Sequence, residues 1–320
     1  MAFLGVPSGA NNTEARDILS TSKVRYEGVV RDNIFNDFVT LDILRKKDRM
    51  RMQNGGLSIG ITIEYAKNTT FSELAYFDTI DTSPQKNFQS AEYKWGYYAG
   101  SVSLSHQEVR QNAGDNIVNL VDGKFKSAMS SVSDLINQHL YASSFQTNRI
   151  NTLVTLIDAT STIGEVNSTA QTFWQATNTT GGSFGAQGMS DLETTYNAVS
   201  SSANRSAPDI LVTTSTIHGF YNLALQAQQR YSSNDTAASS FINLKFKNAD
   251  IVWDEVCTAG VIYLLNSNAL ELIIDSGTNF IFTNPVEATN QAAEVTKLLV
   301  MMQLTVNNRR RLAKINTITA

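Results

Sequence analysis

Apolar and polar residues alternate strictly from Leu57 to Tyr65, with Leu57, Ile59, Ile61, Ile63 and Tyr65 on one side and Ser58, Gly60, Thr62 and Glu64 on the other. This is the period of a strand with one apolar face. Asn54-Gly55-Gly56 ahead of it is a turn signal. A second alternating run places Tyr93, Trp95 and Tyr97 on one face and continues in small residues from Ala99 to Leu104. Between the runs lies an acid-leaning stretch, with Glu73, Asp78 and Asp81 against Lys86 alone. The pattern predicts an extended two-stranded arm. A lone hairpin is marginal in water, so its apolar face (Leu57, Ile59, Ile61, Ile63) is expected to be buried mainly against a neighbouring subunit.

The pattern changes period at Asp115. Ile117, Val121, Phe125, Ala128, Val132, Leu135, Ile136 and Leu140 recur at spacings of three and four, which predicts an amphipathic helix over 115–141. Gly114 and Asp115 supply its start signal. At 1.5 Å per residue it is roughly 40 Å long, a spine for what surrounds it. Residues 151–188 read as irregular connections anchored by Phe173 and Trp174. A helix is expected over 189–203, a buried strand over Asp209–Thr213, and a helix from Ser215 to about Arg230. Residues 231–240 read as a polar loop. Strands follow over Phe241–Asp254, Val261–Leu265, Leu270–Ile274, Glu294–Thr305 and Arg309–Ile318.

With 320 residues, 42% of them hydrophobic and 17% charged, the chain builds a real core and is not disordered. The net charge of −4 argues against a protein that coats nucleic acid through its phosphates. Local charge is less even. Arg45, Lys46, Lys47, Arg49 and Arg51 form a basic cluster, able to grip phosphate but equally read as a solvated segment or one paired with acids elsewhere. No stretch approaches the ~20 apolar residues of a membrane span, and Met1–Ala10 has no signal-peptide pattern.

Few groups suggest catalysis. His106, His139 and His218 have no H-x-x-x-H or H-E-x-x-H spacing, so no metal or cofactor site is predicted. The one cysteine, Cys257, excludes an internal disulfide. It has no nucleophile signature around it, and pairing with His218 as a thiol dyad is disfavoured. Gly181-Gly182-Ser183-Phe184-Gly185 lacks the lysine of a phosphate loop and reads as a flexible loop.

Several segments, in order, resemble a known family. They are Gly55-Gly56-Leu57 leading into the alternating strand, Glu64 to Thr70, Ala91 to Trp95, and the spine helix with Gly114 before it. Asp209 to Thr214, Leu244 to Asp254, Leu264-Leu265-Asn266 and Asn308 to Leu312 complete the set. Together they are similar to the major capsid proteins of tailed bacteriophages, with the Hong Kong 97 fold. The resemblance covers most of residues 24–318 and rests on order, not on any single motif. It implies an α+β chain with an N-terminal arm (1–47) and an extended β-hairpin loop (48–104). A peripheral domain (105–188 and 276–320) would carry the spine helix, and an axial α/β domain would span 189–275.

The resemblance also implies a structural subunit, not an enzyme, that assembles with itself into hexameric and pentameric capsomers of an icosahedral head around double-stranded DNA. The modest negative charge fits a shell that holds DNA only by weak, non-specific contact. At most some 22 residues precede the body, so scaffolding is expected from a separate protein unless the chain is already processed. A portal and a decoration protein are further expected partners, with no membrane, and the location is the virion capsid, assembled in the host cytoplasm. Glu73, Asp78 and Asp81 are expected to face Arg45, Lys46, Lys47, Arg49 and Arg51, or Arg309, Arg310 and Arg311, of an adjacent subunit. The subunits are expected to stay unlinked covalently. An encapsulin-type nanocompartment shell is the alternative with the same fold; a cytoplasmic α/β enzyme is the alternative without it.

Overall fold

The computed structural model describes residues 39–111, 115–200, 206–229 and 244–320. The expectations for residues 1–38, Gly114, residues 201–203 and residues 230–243 lie outside them, as does the expected burial of Ile117. Along the chain, helix α1 (Val39–Lys46) leads into β1 (Met50–Gln53). Strands β2 (Ile59–Glu64) and β3 (Phe88–Tyr93) pair as a hairpin, and β4 (Gly96–Ser105) runs into α2 (His106–Gln111) and α3 (Asp115–Leu140). Short elements follow: α4 (Leu153–Leu156), β5 (Thr162–Ile163), β6 (Val166–Asn167) and β7 (Thr177–Thr180). Next come α5 (Met189–Ser200), β8 (Ile210–Thr213), α6 (Ser215–Gln229), β9 (Lys245–Phe246) and β10 (Ala249–Trp253). The chain closes with β11 (Ile262–Leu265), β12 (Leu270–Asp275), β13 (Ile281–Phe282), β14 (Val286–Glu287), β15 (Ala293–Val306) and β16 (Ala313–Asn316).

Two compact units result. Of the described residues, the first holds 39–55, Trp95–Thr152 and Leu272–Leu304. Its sheet runs β1-β12-β15-β13, with β14 and β4 also pairing β15. Strand β4 is antiparallel to β15 over ten register pairs, from Ser105↔Ala293 to Gly96↔Met302. Helix α3, 26 residues long, buries Val121, Phe125, Met129, Val132, Ile136 and Leu140. Phe125 meets Phe282 edge-on, with centroids 4.8 Å apart. Among the described side chains the helical period reads Val121, Phe125, Val132, Ile136 and Leu140 correctly, whereas Ala128 is half-buried and Met129, outside the expected stripe, is buried. Leu135 is 41% exposed, because it follows Asp134 at the margin of the stripe and faces a groove beside β4.

The second alternating run departs from the sequence pattern. Tyr93 and Trp95 are buried, but Tyr97 is 57% exposed and Tyr98 takes its place inside. The phase slips at Gly96. A Cβ there would lie 2.8 Å from the backbone of Arg149 and Ile150 and 2.9 Å from Met302 O, so only glycine permits this approach. Tyr98 then receives the Ile150 N–H at 3.1 Å and lies 3.1 Å from His139 Nδ1. The expected loop boundary of 48–104 is corrected accordingly: β1 and β4 belong to the six-stranded sheet, and the hairpin proper is β2 with β3.

The second unit holds Gly56–Lys94, Leu153–Glu271 and Thr305–Ala320. The segments 153–188 and 305–320, expected with the spine helix, belong here by their contacts. The sheet order is β7-β16-β11-β8-β10-β9. Strands β8 and β11 are buried at every position, as continuous apolar runs covered on both faces should be. Helices α5 and α6 contribute Leu192, Tyr196, Val199, Ile217 and Tyr221 to the core formed with Leu211, Ile251, Leu264 and Ile315. The described part of the strand expected over Phe241–Asp254, residues 244–254, is a β9–β10 hairpin, and the last expected strand shortens to β16 behind a 3₁₀ turn at Arg309–Arg311. The first break falls at the polar pair Lys247-Asn248, where the chain turns, and the second at the three arginines themselves.

Candidate assembly surfaces

The β2–β3 hairpin alternates as its sequence requires, but its apolar face is covered by its own chain. Ile59 and Ile63 are buried, Ile61 is half-buried, and opposite them Ala91 and Tyr93 are buried. Cover comes from the β5–β6 turn. Gly164 O accepts the Glu92 N–H at 3.0 Å, and a Cβ on Gly164 (φ +60°) would lie 2.8 Å from Ala91 Cβ. Tyr93 Oη donates to Val306 O at 2.8 Å. The expected burial of Ile59 and Ile63 against a neighbour is thus overturned, since neither has surface left to give. Leu57, in contrast, is 97% exposed.

The exposed apolar surface lies further out. Residues 65–87 form no strand, and every residue from Phe71 to Lys86 is exposed. Phe71, Leu74, Tyr76, Phe77 and Ile80 stand in water, Phe77 completely. The loop is shaped by its own polar side chains. Asn68 Oδ1 accepts from Thr70 N at 2.9 Å, Asp78 Oδ2 from Ala75 N at 2.8 Å, and Asp81 Oδ1 from Ser83 N at 2.9 Å and Ser83 Oγ at 2.7 Å. Those Ser83 bonds hold the Asp81 carboxyl below its ordinary value. Asp78 and Asp81 thus serve as turn acceptors, and Glu73 is exposed. Reading this stretch by its acids alone missed the five apolar residues spaced among them.

At the root of the loop Tyr65 stacks on Phe173, centroids 4.8 Å apart and 20° between planes. They line a cavity of ≈ 240 Å³ with Glu64, Lys67, Asn308 and Arg310. Arg310 therefore remains at a surface. Arg309 does not: it is fully buried and donates to Leu156 O, Ser161 O, Thr155 O, Asp158 O and Ser168 Oγ. Its expected role in an intersubunit ion pair is corrected to an internal one. Burial pulls its guanidinium down to about 10, against the nearby Tyr93 and Asp158. Arg311 is half-buried. The first unit has its own open groove of ≈ 510 Å³ between β4 and α3, lined by Ala99, Ser101, Ala128, Ser131 and Leu135 among others.

Of the basic cluster, Arg45 and Lys46 close the last turn of α1, where cations suit the helix dipole. Lys46 pairs with Asp42 at 2.6 Å, and Arg45, Lys47, Arg49 and Arg51 also have partners. The structure brings none of these together with the loop acids within one unit.

Among the described residues the titratable groups form no catalytic arrangement. Burial pushes the Cys257 thiol up to about 12, helped by Asp254, so it stays protonated at neutral pH and is a poor nucleophile. Burial lowers His218, and burial with Arg149 nearby lowers His139. Among the described residues no group of three or more His, Cys, Asp or Glu is placed to hold a metal, and no helix is long and apolar enough to cross a membrane.

No protein-family model and no curated protein matches the sequence. Solved structures do match the fold. The capsid of cyanophage A-1(L) is similar over 85% of this chain and 91% of its own, at 14% identity and a TM-score of 0.58. The capsid of the Myoviridae phage XM1 is similar over 85% and 90%, at 14% identity and 0.57. The SrpI encapsulin of Synechococcus elongatus is similar over 84% and 85%, at 8% identity and 0.51. At such identities the likeness is one of fold. The chain has the α+β, Hong Kong 97-type fold of phage capsid subunits, as the sequence resemblance implied.

Proposed function

We propose that the chain is the major capsid protein of a tailed phage, a non-enzymatic subunit that assembles with itself into hexameric and pentameric capsomers of an icosahedral head around double-stranded DNA. The observation that carries this reading is the loop 65–87. A folded monomer rarely leaves five large apolar side chains of one short loop in water, and such exposure marks an interaction surface. A protruding loop on one copy and a receiving surface elsewhere on the next is a heterologous contact, the kind that closes rings. The capsid fold supplies the context in which that partner is another copy of the same chain.

In this reading the hairpin and loop are the extended arm, the α3 unit is peripheral, and the β8–β11 sheet is axial. Leu57, Ile61, Glu73, Asp78, Asp81 and Arg310 remain candidate interface residues, as do Arg45, Lys46, Lys47, Arg49, Arg51 and Arg311. A separate scaffolding protein, a portal and a decoration protein are the proposed partners, with weak non-specific contact to DNA, in a virion assembled in the host cytoplasm. The second reading is an encapsulin-type shell, favoured by the SrpI similarity. Electron micrographs of particles purified with this chain separate the two. DNA-filled heads bearing tails support the capsid reading, small empty spheres the encapsulin reading, and no particles of any kind would remove both.

A further inference from the structure

The turn that leaves β1 brings an asparagine, a serine and a carboxylate together. Asn54-Gly55 is the only Asn-Gly step in the sequence. Strands β1 and β12 are parallel, with Gln53 beside Asp275, so their exits bring Asn54 next to Ser276. The Ser276 hydroxyl donates to Asn54 Oδ1. The Gly55 N–H donates to Asp275 Oδ1 at 2.7 Å. Asn54 is exposed, and Gly55 and Gly56 both hold positive φ, +48° and +109°. Asp275 is buried. Burial pushes its carboxyl up, but hydrogen bonds from Gly55, Thr278 and Gly277 outweigh that and keep it ionised.

We infer that Asn54-Gly55 is a built site of self-modification, where the fold promotes closure of the Asn54 side chain onto the Gly55 nitrogen to form a succinimide. The Gly55 nitrogen forms a bond to Asn54 Cγ while its proton passes to the Asp275 carboxylate, the acceptor it already faces. The carbonyl electron pair moves onto Oδ1, where the Ser276 hydroxyl meets the developing charge. Collapse restores the carbonyl and breaks the bond to the side-chain nitrogen. That nitrogen takes the proton back from Asp275 and leaves as ammonia. Water then opens the imide to an aspartyl or isoaspartyl residue at position 54, with no oxidant or reductant. A glycine at 55 is favoured because its φ of +48° is one that L side chains rarely adopt. The product places a new carboxylate beside Asp275 and, in the isoaspartyl form, lengthens the backbone where it enters the arm. The inference does not depend on assembly.

The test is peptide mapping by mass spectrometry after timed incubation of the purified chain at neutral pH, with enzymatic methylation to detect isoaspartate. The folded chain should convert Asn54 several-fold faster than the same chain in urea, because the donor and acceptor are held in place only by the fold. Ser276→Ala should slow conversion several-fold and Ser276→Thr should restore it. Asp275→Asn should slow it as well, with circular dichroism reporting whether that variant folds. If it does not fold, the two Ser276 variants and the urea comparison decide. Conversion as fast in urea as in buffer, or an unchanged rate in Ser276→Ala, would overturn the proposal and show that the turn shields its asparagine or leaves it to intrinsic chemistry.

Discussion

The guanidinium of Arg309 lies over the indole of Trp174, 5.9 Å from the ring centroid, and both side chains are almost wholly removed from water. Five acceptors ring the cation, four of them main-chain carbonyls of residues 155–161. Trp174 Nε1 donates to Ile163 O at 3.0 Å. One side chain thus satisfies the carbonyls of a segment with little regular structure. Arg309→Met should leave those carbonyls unpaired at about 1–3 kcal/mol each. Arg309→Lys keeps the charge but has three donors and no planar fork, so it should also lower the urea midpoint clearly. A lysine variant as stable as the parent would refute this account.

Folding and assembly should separate along the arm. Ile59→Asp places a charge at a position with no access to water, at a cost of several kcal/mol, a large part of the about 5–15 kcal/mol that holds a whole domain. It should yield insoluble or unfolded subunit. Phe77→Ser, at a fully exposed position, should change stability by no more than about 0.5 kcal/mol yet prevent shells from forming. Thermal unfolding and electron microscopy of both variants check the contrast, and normal shells from Phe77→Ser would count against the loop as the contact.

Salt should matter less than the loop's acids suggest. An exposed ion pair is worth ~0–1 kcal/mol, whereas burying one of the large apolar side chains contributes about 1.5–3 kcal/mol. Asp78 and Asp81 are also engaged in turns of their own loop. Assembly yield should therefore fall only weakly with sodium chloride and rise in sulfate, which strengthens apolar burial. Light scattering across both salts is the measurement. Loss of assembly from the single reversal Glu73→Lys would show instead that charge dominates.

Local periodicity made much of this fold legible. The alternation at Ile59, Ile61 and Ile63 is a strand, the three-and-four spacing from Val121 to Leu140 is a helix, and the apolar run at Ile210–Thr213 is a buried strand. What covers a face is decided elsewhere in the chain. The β5–β6 turn that lies against Ala91 and Tyr93 of the paired strand is far from the hairpin in sequence, and nothing near Ile59 and Ile63 announces it. Gly96 resets the phase of its strand because the backbone at Arg149 comes close. Arg309 looks like its neighbours Arg310 and Arg311, and only the fold distinguishes the buried one. The Asn54 site needs the parallel pairing of β1 with β12, which no local pattern encodes.

Acid should weaken the second unit through Asp158. Burial raises its carboxyl, but the Ser161 and Thr160 hydroxyls and Lys314 nearby outweigh that and hold it below the ordinary value. In the unfolded chain the group titrates near ~3.9. Its contribution is therefore complete above that pH and is lost as the pH falls through the lower, folded value, because the unfolded chain takes up the proton first. Asp158→Asn should be less stable than the parent at neutral pH and should lose less on acidification. Urea midpoints across the acid range test this, and parallel curves for the two proteins would exclude the role.

The shell should hold together without covalent links between subunits. A Lys–Asn isopeptide bond needs an amine stripped of water and of its proton, an asparagine facing it, and a buried acid to move protons. Lys86 is exposed on the loop, in an open hollow with Gln85, Asn87 and Gln89. Asn307 and Asn308 line the cavity at the loop's root, but the lysine that shares it is Lys67, which is exposed, and the acid there is Glu64, which is exposed too. None of these groups has the dry surroundings the reaction requires. The apolar loop offers a non-covalent alternative, repeated once per subunit, and a decoration protein would add to it. Mature particles boiled in detergent with reductant should give a single band at the 35.1 kDa monomer. A ladder of oligomers would show that neighbouring copies supply the burial that one chain lacks, and would make Lys67 and Lys86 the first lysines to replace.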